Sequence, residues 1–157
     1  MTLPGDPFVL GLVTAGLSAL LAVIAWTDAK TLRIPDRWSL PLLGAGLMLS
    51  GVLPEPGLTD RVIGAAAGYL ALALLGEAWF RWRGVEGLGL GDAKLFGAAG
   101  AWLGWQALPG VLVVASGVGL AVAVLTLRRG AAMAFGPMLC LAFRLFWMLT
   151  IYGGALT

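Results

Sequence analysis

The stretch Phe8–Trp26, FVLGLVTAGLSALLAVIAW, carries no ionisable side chain, and its length matches the ~20 apolar residues that an α-helix needs to cross a bilayer. The rest of the chain has the same character. Of its 157 residues 60% are hydrophobic and 11% charged, and the mean hydropathy is +0.95, too apolar for a surface that meets water on every side. An all-α, polytopic integral membrane protein is expected. Further apolar segments fall near Trp38–Leu53, Val62–Phe80, Ala93–Trp105 and Leu108–Leu127, with a last one from Ala131 or Pro137 to Tyr152. That makes about six transmembrane helices joined by short connections. They fill nearly the whole length, so residues 1–157 are expected to form a single membrane-embedded domain. The second and fourth segments are short and are expected to extend into their flanks, tilt or lie partly in the interface.

Charge sets the orientation. Lys30, Arg33 and Arg37 follow the first segment, Arg81, Arg83 and Lys94 surround the third connection, and Arg128 and Arg129 follow the fifth. The second and fourth connections hold only Arg61. Basic residues collect on the cytoplasmic side, so a multi-pass protein of the cytoplasmic membrane with both termini outside is expected. Met1–Pro7 carries Asp6 and neither Lys nor Arg. It lacks the positive start of a cleavable signal, and the first segment is expected to stay in the mature protein. The net charge of +2 leaves only a weak electrostatic attraction to anionic lipid, the second expected partner.

Missing residue types narrow the chemistry. The chain has no histidine, which removes Ser-His and Cys-His nucleophiles, histidine zinc sites and histidine proton relays. The one cysteine, Cys140, excludes an internal disulfide and a Cys-x-x-Cys clip, and is expected to pack as a small apolar side chain. Carboxylates remain as the general acid and base, with no metal or organic cofactor expected. The glycine run Gly87-Leu88-Gly89-Leu90-Gly91-Asp92 fits neither a phosphate loop nor a dinucleotide fingerprint. No nucleotide or nucleic-acid partner is expected.

Two carboxylates stand out as candidate catalytic residues. Asp28 ends the first apolar segment and Asp92 opens the fourth, both on the side the basic residues mark as cytoplasmic. Ionisable groups at a membrane boundary are expensive to keep dry and are usually retained for function. Taken singly, Asp28 also fits a hydrated carboxylate beside Lys30 or Arg33, and Asp92 also fits a helix N-cap. Pro35 disfavours helix at Ile34, so the first helix is expected to end there, with Asp36 placed to favour the next helix dipole. Lys94 lies about 200° around a helix from Asp92 and is expected to snorkel toward headgroups or cytosol. Glu77 and Arg144 fall at similar membrane depth, where either an ion pair between them or separate snorkelling is expected. Gly64-x-x-x-Gly68 and Gly100-x-x-x-Gly104 allow close helix contact. Trp26, Trp38, Trp79, Trp82, Trp102 and Trp105 are expected in an interfacial belt.

Asp28 with Ile34-Pro35 downstream, then Gly89-Leu90-Gly91-Asp92-Ala93-Lys94-Leu95, Gly100-Ala101-Trp102-Leu103-Gly104 and Phe135-Gly136-Pro137, closely resemble the prepilin peptidase family of GxGD membrane aspartyl proteases. The resemblance implies cleavage of the short basic leader of type IV prepilins, pseudopilins or related subunits at the cytoplasmic face. It carries the catalytic roles onto Asp28 and Asp92, with Gly89, Gly91, Lys94, Ile34 and Pro35 as substrate-binding or motif support. Position 36 holds aspartate where the family pattern leads to asparagine. Larger bacterial members have a cysteine-containing N-terminal region associated with methylation of the new amine. This sequence shows no counterpart of that motif, so the resemblance implies a short, stand-alone form. The alternatives are a proton-coupled transporter, which places carboxylates near the midplane of repeated halves, and a non-catalytic membrane scaffold.

Overall fold

The computed structural model describes residues 7–53, 56–84, 88–125 and 134–153. Arg128, Arg129, Ala131, Gly87 and the end of the fifth apolar segment at Leu127 lie outside the described residues, as does Asp6. The helices are α1 (Pro7–Thr31), α2 (Asp36–Met48), α3 (Leu58–Arg83), α4 (Leu90–Leu103), α5 (Leu108–Leu125) and α6 (Gly136–Gly153). Short 3-10 turns at Leu49–Gly51 and Trp105–Ala107 follow α2 and precede α5. The protein is all-α, as its hydropathy predicts.

Length and composition make α1, α3 and Trp105–Leu125 long enough to cross a bilayer, with Gly136–Ile151 a shorter apolar helix. In contrast α2 has 13 residues and α4 has 14, about 20 Å at 1.5 Å per residue. The shortness of α4 has a physical reason. Ten of its residues, among them every one from Leu95 to Leu103, are buried, so protein surrounds it and it has no need to match the lipid thickness. It packs mainly on α3, then on α2 and α6.

Apolar burial gives little drive between helices in lipid, so close van der Waals contact must hold them together. Both glycine motifs supply it. A Cβ on Gly64 would lie 2.5 Å from the Gly100 carbonyl oxygen, and one on Gly100 would collide with Gly64. One turn away, a Cβ on Gly68 would stand 2.8 Å from the Phe96 oxygen. The pairing of 64 with 100 and 68 with 96 runs α3 antiparallel to α4.

The two ends of the bundle differ in charge. At one end the close of α1 meets the starts of α2, α4 and α6, and the last turns of α3 lie beside Leu88. Lys30, Arg33, Arg37, Arg81, Arg83 and Lys94 all belong to these segments. The opposite end holds Arg61, which is fully buried. Its Nε donates to the Pro56 carbonyl at 2.8 Å, and its Nη1 to the carbonyls of Gly46, Ala101 and Trp102 at 2.9, 3.1 and 3.2 Å. Those oxygens end α2 and α4, where carbonyls lack intrahelical partners and the helix dipole favours a cation.

Several expectations are corrected. Trp102 is a core residue, not a belt residue: it is 5% exposed, donates its Nε1 proton to the Leu42 carbonyl at 2.7 Å and meets Trp147 edge to face. It lies on the α4 face that packs on α2, so its nearness to a segment end in sequence does not bring it to lipid. Glu77 and Arg144 do not pair with one another. Glu77 accepts from Arg81 Nε one turn along α3 at 2.8 Å, and Arg144 Nε donates to Ser18 Oγ on α1 at 2.7 Å. The nearer partner wins in each case.

Gly100→Leu should separate α3 from α4 and cost about 1–3 kcal/mol or more. A Cβ at Gly117 would meet no atom within 4 Å, so Gly117→Leu should cost far less than Gly100→Leu. Thermal unfolding in detergent micelles tests this, and equal midpoints for the two variants would contradict it.

Candidate active site

Asp28 sits in the last turn of α1, 4% exposed. It is therefore no hydrated surface carboxylate. The Gly136 N–H, at the open start of α6, donates to its Oδ2 at 3.0 Å. A helix N-terminus carries unpaired donors and a positive dipole end, so it suits an anionic oxygen. Only glycine fits at 136, because a Cβ there would lie 2.6 Å from Asp28 Oδ2. Pro137, whose fixed φ suits a helix start, follows directly. The sequence marks this helix start through Gly136-Pro137, yet nothing local to either residue signals a partner more than a hundred positions away.

Just beyond Asp28, α1 ends abruptly. The Leu32 N–H donates to the Asp28 carbonyl at 2.8 Å, and Leu32 adopts a left-handed φ of 53°. For a residue with a Cβ that conformation costs roughly 1–2 kcal/mol. The chain then passes through Ile34, which is buried, and Pro35, the N-cap of α2.

Asp92 lies in the first turn of α4, whose N-cap is Gly89. It is thus inside the helix start and is not the cap residue itself. Glycine at 91 brings this turn against the α1–α2 connection, since a Cβ there would stand 3.0 Å from Ile34 Cβ and 3.3 Å from its nitrogen. Ile34 is therefore gripped between Gly91 and Gly136, and the motif residues from three parts of the chain meet around it. Asp92 Oδ1 is buried and finds no hydrogen-bond donor among the described residues. Burial first, and the charge on Asp28 second, push the Asp92 carboxyl up to about 6, against the pull of a backbone hydrogen bond at Gly89.

Asp28, Ile34, Asp36, Gly89, Asp92 and Lys94 line a common cavity of about 310 Å³ at the basic end of the bundle. Lys94 does not snorkel freely as expected. Its Nζ donates to both oxygens of Asp36 at 2.6 and 2.8 Å, because the start of α2 supplies a carboxylate within reach. On the far side of Gly89 and Leu90 lies a second cavity of about 400 Å³, walled by Leu72, Gly76, Glu77, Phe80 and Leu88. Cys140 is buried in α6, as its apolar setting predicts. Among the described residues, no three His, Cys, Asp or Glu side chains converge to hold a metal. What the site offers chemically is a pair of sheltered carboxyls beside a cavity with room for water.

Comparison with known proteins gives the same family as the motifs. Residues 15–124 match the type IV leader peptidase family. The chain is 40% identical to a prepilin leader peptidase/N-methyltransferase of Dickeya chrysanthemi over 156 residues, which is 96% of this chain and 54% of that protein. A protein of the same description from Aeromonas hydrophila is 40% identical over 90% of this chain and 49% of its own length. One from Pectobacterium carotovorum subsp. carotovorum is 46% identical over 80% of this chain and 47% of its own length. The chain spans about half the length of these curated relatives. No solved structure matches it. With more than two-thirds of its residues inside the family match and relatives 40–46% identical over most of its length, the chain belongs to the type IV leader peptidase family.

Proposed function

We propose that this protein is an aspartic endopeptidase that removes the leader peptide of type IV prepilins, pseudopilins or related subunits at the cytoplasmic face of the membrane. The observation that carries this reading is the meeting of Asp28 and Asp92 at one cavity. The chain acts as a single membrane-embedded domain over residues 1–157, with both termini outside and the site on the cytoplasmic side. Clustering of basic residues around the cavity and the lone Arg61 at the other end support that orientation.

Two carboxylates close enough to repel cannot both ionise readily, so they share one proton. The ionised partner takes a proton from water as the water oxygen attacks the scissile carbonyl carbon. The protonated partner hydrogen-bonds the developing oxyanion. Collapse of the tetrahedral species breaks the C–N bond, and the leaving nitrogen receives the proton, giving a new carboxylate and a new amine. The protons belong to the pair, so each aspartate serves as acid or base in turn. Gly89 leaves backbone clearance for an extended substrate beside Asp92, whereas Gly91 is taken up by its contact with Ile34, and the cavity by Leu72 and Phe80 has room for side chains flanking the cut. A transporter site would sit near the middle of the membrane, and the position of this pair at one end of the bundle favours proteolysis.

Asp28→Asn and Asp92→Asn should each lower cleavage of a purified prepilin in detergent by roughly 10²–10⁴-fold with the fold intact. Retained cleavage in either variant rejects the pair. The shared proton also fixes a sign for pH. Since Asp92 is pushed up to about 6, raising the pH through that region or just above it strips the proton and kcat should fall. A kcat profile flat across the neutral range would contradict this.

A further inference from the structure

We infer that the Lys94–Asp36 ion pair is a positioning device, which sets the rotation of the first turn of α4 so that Asp92 faces Asp28. The inference rests on the aspartyl reading above and adds two residues that act through a third. Successive helix residues point about 100° apart, so Lys94 and Asp92 leave α4 in nearly opposite directions. Tying Lys94 to the start of α2 therefore fixes the rotation of this turn, and with it the direction in which Asp92 meets the cavity it shares with Asp28.

Packing of Gly91 on Ile34 seats the backbone of this turn, and among the described residues no side-chain hydrogen bond at the caps, Gly89 for α4 and Pro35 for α2, adds to it. Backbone bonds from Asp92 and Ala93 to the Gly89 carbonyl, at 3.1 and 3.4 Å, close the α4 turn, but they do so on a glycine, the most permissive hinge residue. A lysine near a helix N-terminus is on the unfavourable side of the dipole, whereas an aspartate in the first turn is on the favourable side. Joining the two lets Asp36 compensate for Lys94 while linking both helix starts.

Magnitude separates positioning from stabilisation. The Lys94 side chain is 26% exposed and that of Asp36 is 56% exposed, and pairs this open to solvent contribute about 0–1 kcal/mol to folding. Catalysis is more sensitive to geometry, since a misplacement of about 1 Å can lower a rate about 10²-fold. The effect of the pair belongs in kcat.

Lys94→Met, Asp36→Ala and the double variant test this on a purified prepilin in detergent micelles, with kcat, KM and the thermal midpoint measured together. Each single change should lower kcat roughly 10–100-fold with KM and the midpoint nearly unchanged. The double variant should lose no more than the worse single one, because both changes remove the same contact. Asp36→Asn, which keeps an acceptor of the same shape, should retain more kcat than Asp36→Ala. Losses that multiply in the double variant, a change confined to KM, or an unaffected kcat would each overturn the inference. Asp28→Asn in the same assay keeps the two levels apart. An active Asp28→Asn removes the aspartyl reading, whereas an inactive one beside a fully active Lys94→Met removes only the positioning role.

Discussion

Backbone-to-backbone contact between α3 and α4 is the constraint on which the rest of the bundle depends. In lipid, two helices gain little from burying leucine, and they gain from approaching closely enough for dispersion and weak Cα–H to carbonyl contacts. Gly64 and Gly68 on α3 lie against Gly100 and Phe96 on α4 with no room for a Cβ at either glycine of α3. This seats a helix of only 14 residues in the middle of the protein. Once α4 is there, its buried far end can be held by Arg61 and Trp102, and its near end presents Asp92 to the close of α1.

The two ends of the bundle are stabilised by opposite means. At the far end a buried guanidinium collects helix-terminal carbonyls, and the indole of Trp102 bonds the Leu42 carbonyl. At the near end a carboxylate collects a helix-terminal N–H, that of Gly136. Each follows from the orphan groups and dipole of a helix terminus. The outer end thus rests on one buried cation, while the site end gathers Asp28, Asp36, Asp92 and Lys94 around its cavity. Leu32 in a left-handed conformation and the unpartnered Asp92 Oδ1 both belong to that site end, where strain and unmet hydrogen bonding tend to accompany function.

Hydropathy alone located every helix to within several residues, because a lipid-facing helix must be apolar over most of its length. The charge pattern separated the ends of the bundle for a similar reason: Lys30, Arg37 and Arg83 have nowhere to go but out of the membrane. Local motifs were legible as well, since Gly64-x-x-x-Gly68 and Gly89-x-Gly91-Asp92 state their close contacts in neighbouring letters. Partners distant along the chain were not. Gly136 as the donor to Asp28 and Asp36 as the partner of Lys94 depend on how helix ends converge. Trp102 read as interfacial because it lies near a segment end, while the face of α4 that carries it points at α2. Glu77 and Arg144 fell at similar depths on α3 and α6, but depth is one coordinate, and Arg81 and Ser18 lay nearer in the other two.

Whether the two carboxyl-bearing positions meet can be measured without any substrate. Cysteines replacing Asp28 and Asp92, in a protein whose Cys140 is changed to serine, should be joined by a short bifunctional thiol reagent in membrane vesicles, and both should be shielded from reagents confined to the outer face. Failure to cross-link while each cysteine reacts singly, or labelling of the two from opposite faces, would contradict a shared site.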